Sequence, residues 1–520
     1  AFMRSATSAA SDADAALNQA WDLYYVVYKG LKSTQQDFTK LELQNASSWL
    51  YKARSLEIAV PGTAGDVAHP AVDGDGDGAA AAPAHVLIVS FLPTLEVMVS
   101  KCKPRRMKIL GSDGREYMFL LKGTEDLRQD ERVMQLFGLV NQSLLQDAKT
   151  NRKELGIRRF SVVPLSREAG LVGWVHNCDT LHGLIKDYRD IRGVNLMVEH
   201  TLMVREASVG RTLDVAAFEK LTIPQKMAAF EHALSCTRGQ DLHKVLWLKS
   251  TNAENWHLRR TKYTRSLAVM SMVGYILGLG DRHPSNFLLE RHSGQIVHID
   301  FGDCFEVAML REKFPEKVPF RLTRMLVNAM AVCGTEGTFR MTCESVMRVL
   351  RENRNSVMTM LDAFVHDPLV SWNFDKEGEG ELSGIGGGPE HEDADAWKNV
   401  PAGGGTGGGG LTRRASQVFQ MAKSIIKGQK EKPTKAAARA GRRMGGGGDD
   451  DDEGNLDEDV DERLNQSALD AIQRVKDKLH GRDWDRLEDM PISEQIDRLI
   501  WEATSSENLC QMYSGWGAFF

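Results

Sequence analysis

Two stretches of this 520-residue chain cannot build a packed core, and they fix where folded parts can lie. Residues 62–84 are rich in Gly, Ala, Asp and Pro; residues 375–462 are Gly-rich, then basic, then acidic. Such compositions bury too little apolar surface to offset chain entropy, so both read as disordered inserts or linkers. What remains is enough for two or three domains, and 42% apolar residues supply a sizeable core. The longest strongly apolar run, residues 267–279, is broken by Ser271 and Gly274 and falls short of the roughly 18 residues that span a bilayer. The net charge of −6 conceals two opposed blocks: residues 411–443 hold ten Lys/Arg against one Glu, and residues 449–462 hold ten Asp/Glu and no base. They nearly cancel, so the overall charge says little about partners. Seven cysteines (102, 178, 236, 304, 333, 343, 510) form no C-x-x-C pair, which suits a reduced cytosolic compartment better than a disulfide scaffold or a zinc site. The start lacks a signal-peptide core and does not begin with Met, and it reads as part of a larger protein.

Ahead of the first insert, residues 17–60 carry a helical pattern, with Leu17, Trp21, Tyr24, Tyr25 and Tyr28 at three-to-four spacing. Residues 86–91, 95–99, 107–110 and 116–121 are short runs of β-formers, with Asp113-Gly114 as a hairpin turn. A helix at about 130–146 and strands at 160–164 and 171–175 follow. Residues 181–369 read as mostly helical, interrupted by a strand–loop–strand at 287–305. Leu469, Ile472, Val475 and Leu479 mark a further amphipathic helix, and two short helices close the chain, the second with a capping box Thr504-Ser-Ser-Glu507. The expectation is an α+β, two-lobed plan: a small β-rich lobe, a larger helical lobe and a cleft between them.

The most informative segment is Gly280-Asp-Arg-His-Pro-Ser-Asn286, followed by His298-Ile-Asp-Phe-Gly302. Phosphoryl transfer needs a carboxylate to orient the attacking hydroxyl and metal ligands to bridge the nucleotide phosphates. Protein kinases take the base and one ligand from D-x-x-x-x-N and the other ligand from D-F-G. Asp281 and Asn286 stand five apart, and Asp300-Phe301-Gly302 begins 14 residues after Asn286. Either tripeptide alone would more often be a chance polar turn; together, in this order and between apolar strands, they point to a phosphotransferase. No G-x-x-x-x-G-K-[ST] occurs, which excludes a standard P-loop NTPase. No G-x-G-x-x-G precedes Lys122, yet the strand ending Phe119-Leu-Leu-Lys122 places that lysine where it could reach nucleotide phosphates, with Asp130 opening the next helix as its candidate partner.

These segments resemble the phosphatidylinositol 3-kinase-related protein kinases, and most closely their target-of-rapamycin (TOR) group. The likeness rests on Leu120-Leu-Lys-Gly, Glu125-Asp-Leu-Arg-Gln-Asp-Glu-Arg132, Gly173-Trp-Val, Gly278-Leu-Gly-Asp-Arg-His-Pro-Ser-Asn286, His298-Ile-Asp-Phe-Gly-Asp-Cys-Phe-Glu306 and Phe314-Pro-Glu-Lys-Val-Pro-Phe-Arg-Leu-Thr-Arg324. The tail, Ala503-Thr-Ser-Ser-Glu-Asn-Leu-Cys-Gln511 with Gly515-Trp516, is similar to the family's C-terminal FATC segment. The resemblance implies the last helix of an FKBP–rapamycin-binding (FRB) domain in residues 1–60, an insert at 61–85, a kinase N-lobe at 86–176 and a C-lobe at 177–373. A disordered insert at 374–462, a final C-lobe helix at 463–487 and FATC at 488–520 complete it.

It further implies a Ser/Thr protein kinase using ATP and Mg2+, with Mn2+ as an alternative metal. Asp281 would be the base and His283 would stabilise charge on the transferred phosphoryl group. Asn286 and Asp300 would hold the metal. Lys122 would contact the ATP phosphates, with Asp130 as its ion-pair partner and Glu125 lining the inner pocket. The phosphate-covering loop would be residues 100–106, including Ser100 and Cys102. Adenine would sit against Gly173, Trp174 and Val175, packed by Leu120, Phe160, Leu288 and Ile299, with Thr180 at the rim.

For partners, the resemblance implies protein substrates and no nucleic acid. An LST8-type WD40 β-propeller would dock on residues 196–248, and a raptor-like subunit would bind through upstream parts absent from this chain. Trp21, Asp22, Tyr25 and Tyr28 fall where an FRB domain presents its groove, but a core aromatic stripe is an equal reading, and the other FRB helices are missing, which argues against FKBP–rapamycin recruitment. The aromatic tail (Trp501, Met512, Tyr513, Trp516, Phe519, Phe520) is a candidate for peripheral membrane contact, giving a cytoplasmic protein with an option of endomembrane association. Gly517 stands where a second tail cysteine would be needed to pair with Cys510, which argues against a redox switch there. Arg413-Arg-Ala-Ser416 suits a basophilic kinase, and a chance match in a charge run is as good a reading. In the activation segment, residues 300–324, Lys313, Lys317, Arg321 and Arg324 alternate with Glu312 and Glu316, favouring a protein over an inositol lipid as acceptor. A lipid kinase and a catalytically dead scaffold remain the rivals.

Overall fold

The computed structural model describes residues 10–34, 39–63, 85–98, 100, 102–207, 221–311, 314–365, 455–484 and 488–520. Arg413–Ser416 and nearly all of the second insert lie outside them. The chain divides into two units, Ala1–Ser371 with Ala471–Phe520, and Trp372–Asp470; the following concerns the first.

The β-formers build a seven-stranded antiparallel sheet in the order β1-β3-β4-β5-β7-β6, with β2 also paired to β4. Its strands are β1 (Lys40–Glu42), β2 (Ile88–Phe91), β3 (Thr94–Val97), β4 (Arg105–Gly111), β5 (Glu116–Gly123), β6 (Val162–Pro164) and β7 (Ala169–Gly173). Period-two alternation along β4 turns Met107 and Ile109 inward, where they join Phe119 of β5 and Leu171 of β7 in one apolar cluster. Asp113 and Gly114 make the β4–β5 turn, Gly114 with φ +77°.

The helical reading of residues 17–60 holds for helix α1 (Ala10–Thr34) and for two short helices, Leu43–Ala46 and Ser48–Lys52, but not for the strand at residues 40–42. Beyond α1, Leu41 pairs with Leu95 as β1 meets β3, and Leu43 and Val60 are buried in the sheet's core. Residues 40–60 thus pack with the β-rich lobe rather than with α1. The aromatic side chains of α1 are exposed, so they are not a core stripe here.

Helix α2 (Arg128–Gln146) buries Val133, Met134, Phe137, Val140 and Leu144, a three-to-four repeat that fits one apolar face. The larger lobe contains α3 (Leu181–Arg192), α4 (Val198–Ala207), α5 (Ile223–Cys236), α6 (Asp241–Leu248), α7 (Ala253–Leu277), α8 (Thr338–Glu352), residues 471–480 of α9 (Asn455–His480) and α10 (Ile492–Thr504). Helix α7 is its axis. Asn252 caps it by accepting from the Asn255 N–H at 2.7 Å, Gly278 ends it in the left-handed region, and every residue from Ser266 to Leu277 is buried. A three-stranded sheet, β10-β9-β8, lies at the lobe junction: β8 (Cys178–Thr180), β9 (Phe287–Glu290) and β10 (Ile296–His298).

The tail departs from expectation twice. Thr504 is the last residue of α10, its hydroxyl donating back to Ile500 O at 2.7 Å; the short helix after it (Ser506–Leu509) is led by Ser505 with no side-chain cap, so the capping box does not form. Met512, Trp516 and Phe519 are buried in one cluster with α4, α5 and Val318 of the activation segment, Phe520 is buried with the Arg189 guanidinium of α3 over its ring at 5.1 Å, and of the tail's large apolar side chains Trp501 alone is strongly exposed among the described residues. An apolar tail surface free to enter a membrane is therefore not what the fold presents. Gly517 adopts φ +67°, and a Cβ there would meet the Phe520 ring at 2.8 Å, so a side chain at this position would be strained in the present arrangement.

Candidate active site

The loop between α7 and β9 carries Asp281, His283 and Asn286. It begins with Gly280, where a Cβ would come within 2.3 Å of the Ala308 side chain, so the activation segment lies directly against the loop. The hairpin register then explains how residues 14 apart in sequence become neighbours. Phe287 is paired with His298, so Asn286 and Ile299 flank the same end of the ladder, and the Ile299 N–H donates to Asn286 O at 3.1 Å. Asp300 follows at once.

Asn286 is buried and donates from Nδ2 to Asp281 O at 2.9 Å, so that its amide nitrogen is engaged within the loop. Asp281 and Asp300 both sit at positive φ, +54° and +63°. Non-glycine residues held there are commonest at functional sites. The Asp281 N–H is held by Glu316 Oε1 at 2.8 Å. Burial raises the Asp281 pKa, while Arg282 and Arg311 pull it back. His283 accepts from the Ser285 N–H at Nδ1, 3.2 Å, which leaves the ring proton on Nε2. Burial, with Arg282 and Arg321 nearby, lowers its pKa to about 4. The imidazole is therefore neutral near pH 7 and acts as a hydrogen-bond donor, not as a cation.

Lys122, on β5 opposite Gly170, makes its ion pair with Glu125 (Nζ–Oε2 2.7 Å) and none with Asp130. Burial lowers its pKa, but Asp300, Glu125 and Asp130 together outweigh that, so the net shift is upward and the lysine is charged. Asp130 instead accepts from the Phe301 N–H at 3.3 Å and is pushed up to about 6, by burial first and the Asp300 charge second. Glu125 thus takes the ion-pair role expected of Asp130. The cause is local: Glu125 lies in the turn after β5, three residues from Lys122, whereas Asp130 is drawn into α2 and toward the D-F-G backbone.

Two residues that the motifs did not single out hold this arrangement. Gln129 donates from Nε2 to Phe301 O (2.8 Å) and Gly302 O (3.0 Å), so α2 grips Phe301 on both its N–H and its carbonyl. Arg282 donates to Gly280 O (2.7 Å), to Ile299 O (2.9 Å) and to Asp300 O, tying the loop to the Asp300 segment. Arg282 at least lay inside the D-R-H triplet. Gln129 lay inside the Glu125–Arg132 stretch, but nothing local gave it a role, because its partners are 172 and 173 residues away.

The expected nucleotide-lining residues fall around the cleft. Leu120 pairs with Val172, and the Trp174 N–H donates to Met118 O at 2.9 Å, so Gly173, Trp174 and Val175 leave the sheet beside β5. The Arg106 guanidinium covers the Trp174 ring at 5.0 Å and pairs with Glu96. Phe160 stacks at 6.4 Å on the fully buried Phe301. Thr180 is opposite Leu288 in the β8–β9 ladder, but its hydroxyl is used to cap α3 through the Gly183 N–H at 3.0 Å. Ser100 O accepts from the Lys103 N–H at 3.2 Å in a tight turn with Cys102 exposed; Lys101 lies outside the described residues. Of the activation-segment bases, Arg321 is fully buried and Arg324 is bonded to Leu234 O and Thr237 O, while Lys317 is exposed and Lys313 is outside the described residues.

Residues 116–374 match the phosphatidylinositol 3- and 4-kinase family and residues 489–520 match the FATC domain. The serine/threonine-protein kinase mTor of Drosophila melanogaster is 47% identical over 509 residues, 97% of this chain and 18% of that protein. TOR2 of Saccharomyces cerevisiae, also a serine/threonine-protein kinase, is 44% identical over 97% of this chain and 18% of its own length. Among solved structures, the FAT and kinase domain of CtTel1 superposes with a TM-score of 0.60 at 27% identity, covering 86% of this chain and 25% of that one. The chain therefore spans less than a fifth of the fly and yeast relatives, and within that span it belongs to the TOR group of the phosphatidylinositol 3-kinase-related kinases, with a catalytic domain of the phosphatidylinositol 3- and 4-kinase type and a FATC domain.

Proposed function

We propose that this chain is a Ser/Thr protein kinase, moving the γ-phosphoryl group of ATP to protein hydroxyls. The observation that carries the reading is the convergence of Asp281, Asn286 and Asp300 on one hairpin end, with the charged Lys122 electrostatically coupled to Asp300. An amide oxygen and a carboxylate are the hard donors that suit Mg2+, so Asn286 and Asp300 fit the metal; bound there, it would neutralise charge on the phosphate oxygens.

Asp281 accepts the hydroxyl proton of the acceptor. Glu316 holds its backbone, and burial keeps its carboxylate more basic than a solvated one, which suits a proton acceptor. His283, neutral, offers Nε2–H to the transferring group. Lys122 meets the nucleotide phosphates, and Glu125 fixes its position. Trp174 provides a flat face for the purine. A protein acceptor is favoured over an inositol lipid because two of the four activation-segment bases, Arg321 and Arg324, are spent on internal carbonyls and cannot face a headgroup. Residues 196–248 would take the propeller partner through α4, α5 and α6, and nutrient and growth signalling is the process that the family relationship suggests.

The test is phosphate transfer from labelled Mg-ATP by the purified chain to a Ser/Thr peptide pool and to phosphoinositide vesicles side by side, with and without the propeller. Peptide labelling that falls by about 10²–10⁴-fold in Asp281→Ala is the expected result. Labelling of vesicles alone would move the chain to the lipid kinases, and no transfer under any condition would leave a scaffold.

A further inference from the structure

Arg106 counts, in the sequence, as the last base of the phosphate-covering loop, but it is the second residue of β4. It stands opposite Glu96 of β3 on one side and Leu120 of β5 on the other, and Leu120 in turn stands opposite Val172 of β7. Residues directly opposite one another in adjacent strands share a face of the sheet, so these four form one row. Lys122, two residues beyond Leu120, lies on that same face, whereas Met107, Ile109 and Phe119 turn into the core on the other. The row is thus on the cleft side of the small lobe.

The charge of Arg106 is committed within this face. Its Nη2 donates to Glu96, and its guanidinium carbon lies 5.0 Å from the centre of the Trp174 ring. That second contact reaches over β5, since β4 and β7 flank this strand. Its Nε is buried and meets no acceptor among the described residues. An unmet N–H away from water costs stability, so solvent would be the cheaper place for this side chain. Trp174, just past the end of β7, is half-buried, and its N–H is held by Met118 O at 2.9 Å. The main chain therefore fixes where the indole starts, and the cation over the ring fixes how its plane lies. An aromatic face attracts a guanidinium set above it, and the ion pair with Glu96 keeps that guanidinium from swinging away.

We propose that Arg106 is a positioning residue for the purine base, holding the Trp174 ring with the guanidinium on one face while the base stacks on the other. The inference rests on the nucleotide-cleft reading and adds to it a residue and its way of acting. A loose indole would have to be ordered when the base arrives, and that ordering weakens binding; a ring already fixed does not incur it. Because its charge is shared between Glu96 and the indole, Arg106 acts on the base, and the phosphates are left to Lys122.

Calorimetric titration of the purified chain with adenosine and, separately, with Mg-ADP tests this, because only the second ligand carries phosphates. In Arg106→Met, which keeps the length of the side chain and loses its charge, both affinities should fall by the same factor, about tenfold. KM for ATP should rise by as much. Glu96→Gln, which frees the guanidinium without removing it, should show a smaller loss of the same kind, about threefold for both ligands. A loss for Mg-ADP alone would make Arg106 a phosphate contact and overturn the inference. Tighter binding in Arg106→Met would overturn it too, by showing that the guanidinium obstructs the platform. Thermal unfolding is followed for each variant; if Arg106→Met does not fold, Glu96→Gln decides by the same equality of the two losses. A wild-type chain that binds neither ligand defeats the nucleotide-cleft reading itself; a wild type that binds both, with affinities unchanged in the variants, defeats only the inference.

Discussion

The two ends of the chain carry similar aromatic weight and meet opposite fates. In α1, Trp21, Tyr24 and Tyr25 are 59%, 70% and 56% exposed; in the tail, Trp516 and Phe519 are 3% and 6% exposed. The apolar residues of α1 run without a break from Leu23 to Tyr28, so they circle the helix, and no single neighbour could cover them. The tail instead distributes its rings between small and flat partners: Phe519 on Phe230, beside Ala229 and Ala233. Its main-chain oxygens find Arg321 and Thr323. Burial was decided by whether neighbouring elements could surround the rings, not by how many rings there were.

The largest effect expected from this contrast is in Trp516→Ala. The substitution removes a buried ring and the platform under Arg321, and should cost about 3–5 kcal/mol of stability, measured by urea unfolding. A loss below about 1 kcal/mol would show that the tail is only lightly seated.

The same contrast separates what the sequence made legible from what it did not. That Asp281, Asn286 and Asp300 would come together was readable from their short fixed spacings, and the strands of the small lobe after residue 86 were readable from β-formers and one Asp-Gly turn, whereas β1 was read as helix. Lys122 was readable, but its partner was not: Glu125 and Asp130 are both acidic and near, and only the path of the chain into α2 separates them. Arg321 looked like a base available to ligands; its three tail partners lie 195 to 199 residues away, and no local pattern reports such a meeting. The sequence left α1 open between a presented groove and a core stripe, and the tail open to membrane contact, for the same reason, since each depends on surfaces supplied from elsewhere.

A second experiment sharpens the contrast electrostatically. The tail's anchor sits among buried charges, and Glu316 acts on Arg321 as well as holding Asp281. Burial first, then the Asp281 charge, raise the Glu316 pKa from 4.5 to about 7, against the hydrogen bond from Asp281 that lowers it. An acid raised in the folded state destabilises the fold when it ionises. The penalty is absent below about pH 4.5, grows as pH rises toward 7 and is complete above it. Glu316→Gln keeps an oxygen for the Asp281 N–H and removes the charge. It should therefore match the wild type near pH 4.5 and exceed it above pH 7 by on the order of 3 kcal/mol. Thermal unfolding at the two pH values gives the sign; equal stability at high pH would mean that Glu316 is solvated.

The smallest effect belongs to the other end. Trp21 touches Tyr24 through a tilted ring contact at 6.3 Å, and both rings are mostly in water. Such a pair is worth about 0.5–1.5 kcal/mol when buried and less when wet. Ala, in return, is the better helix former by a few tenths of a kcal/mol, up to about 0.7. The two terms oppose each other, so Trp21→Ala should leave stability within about 0.5 kcal/mol of wild type, the range for surface sites. The comparison with Trp516→Ala is then internal to one chain: the same substitution, Trp to Ala, at two aromatic clusters. A loss at Trp21 approaching that at Trp516 would mean that α1 is covered in solution, and the contrast between the two ends would collapse.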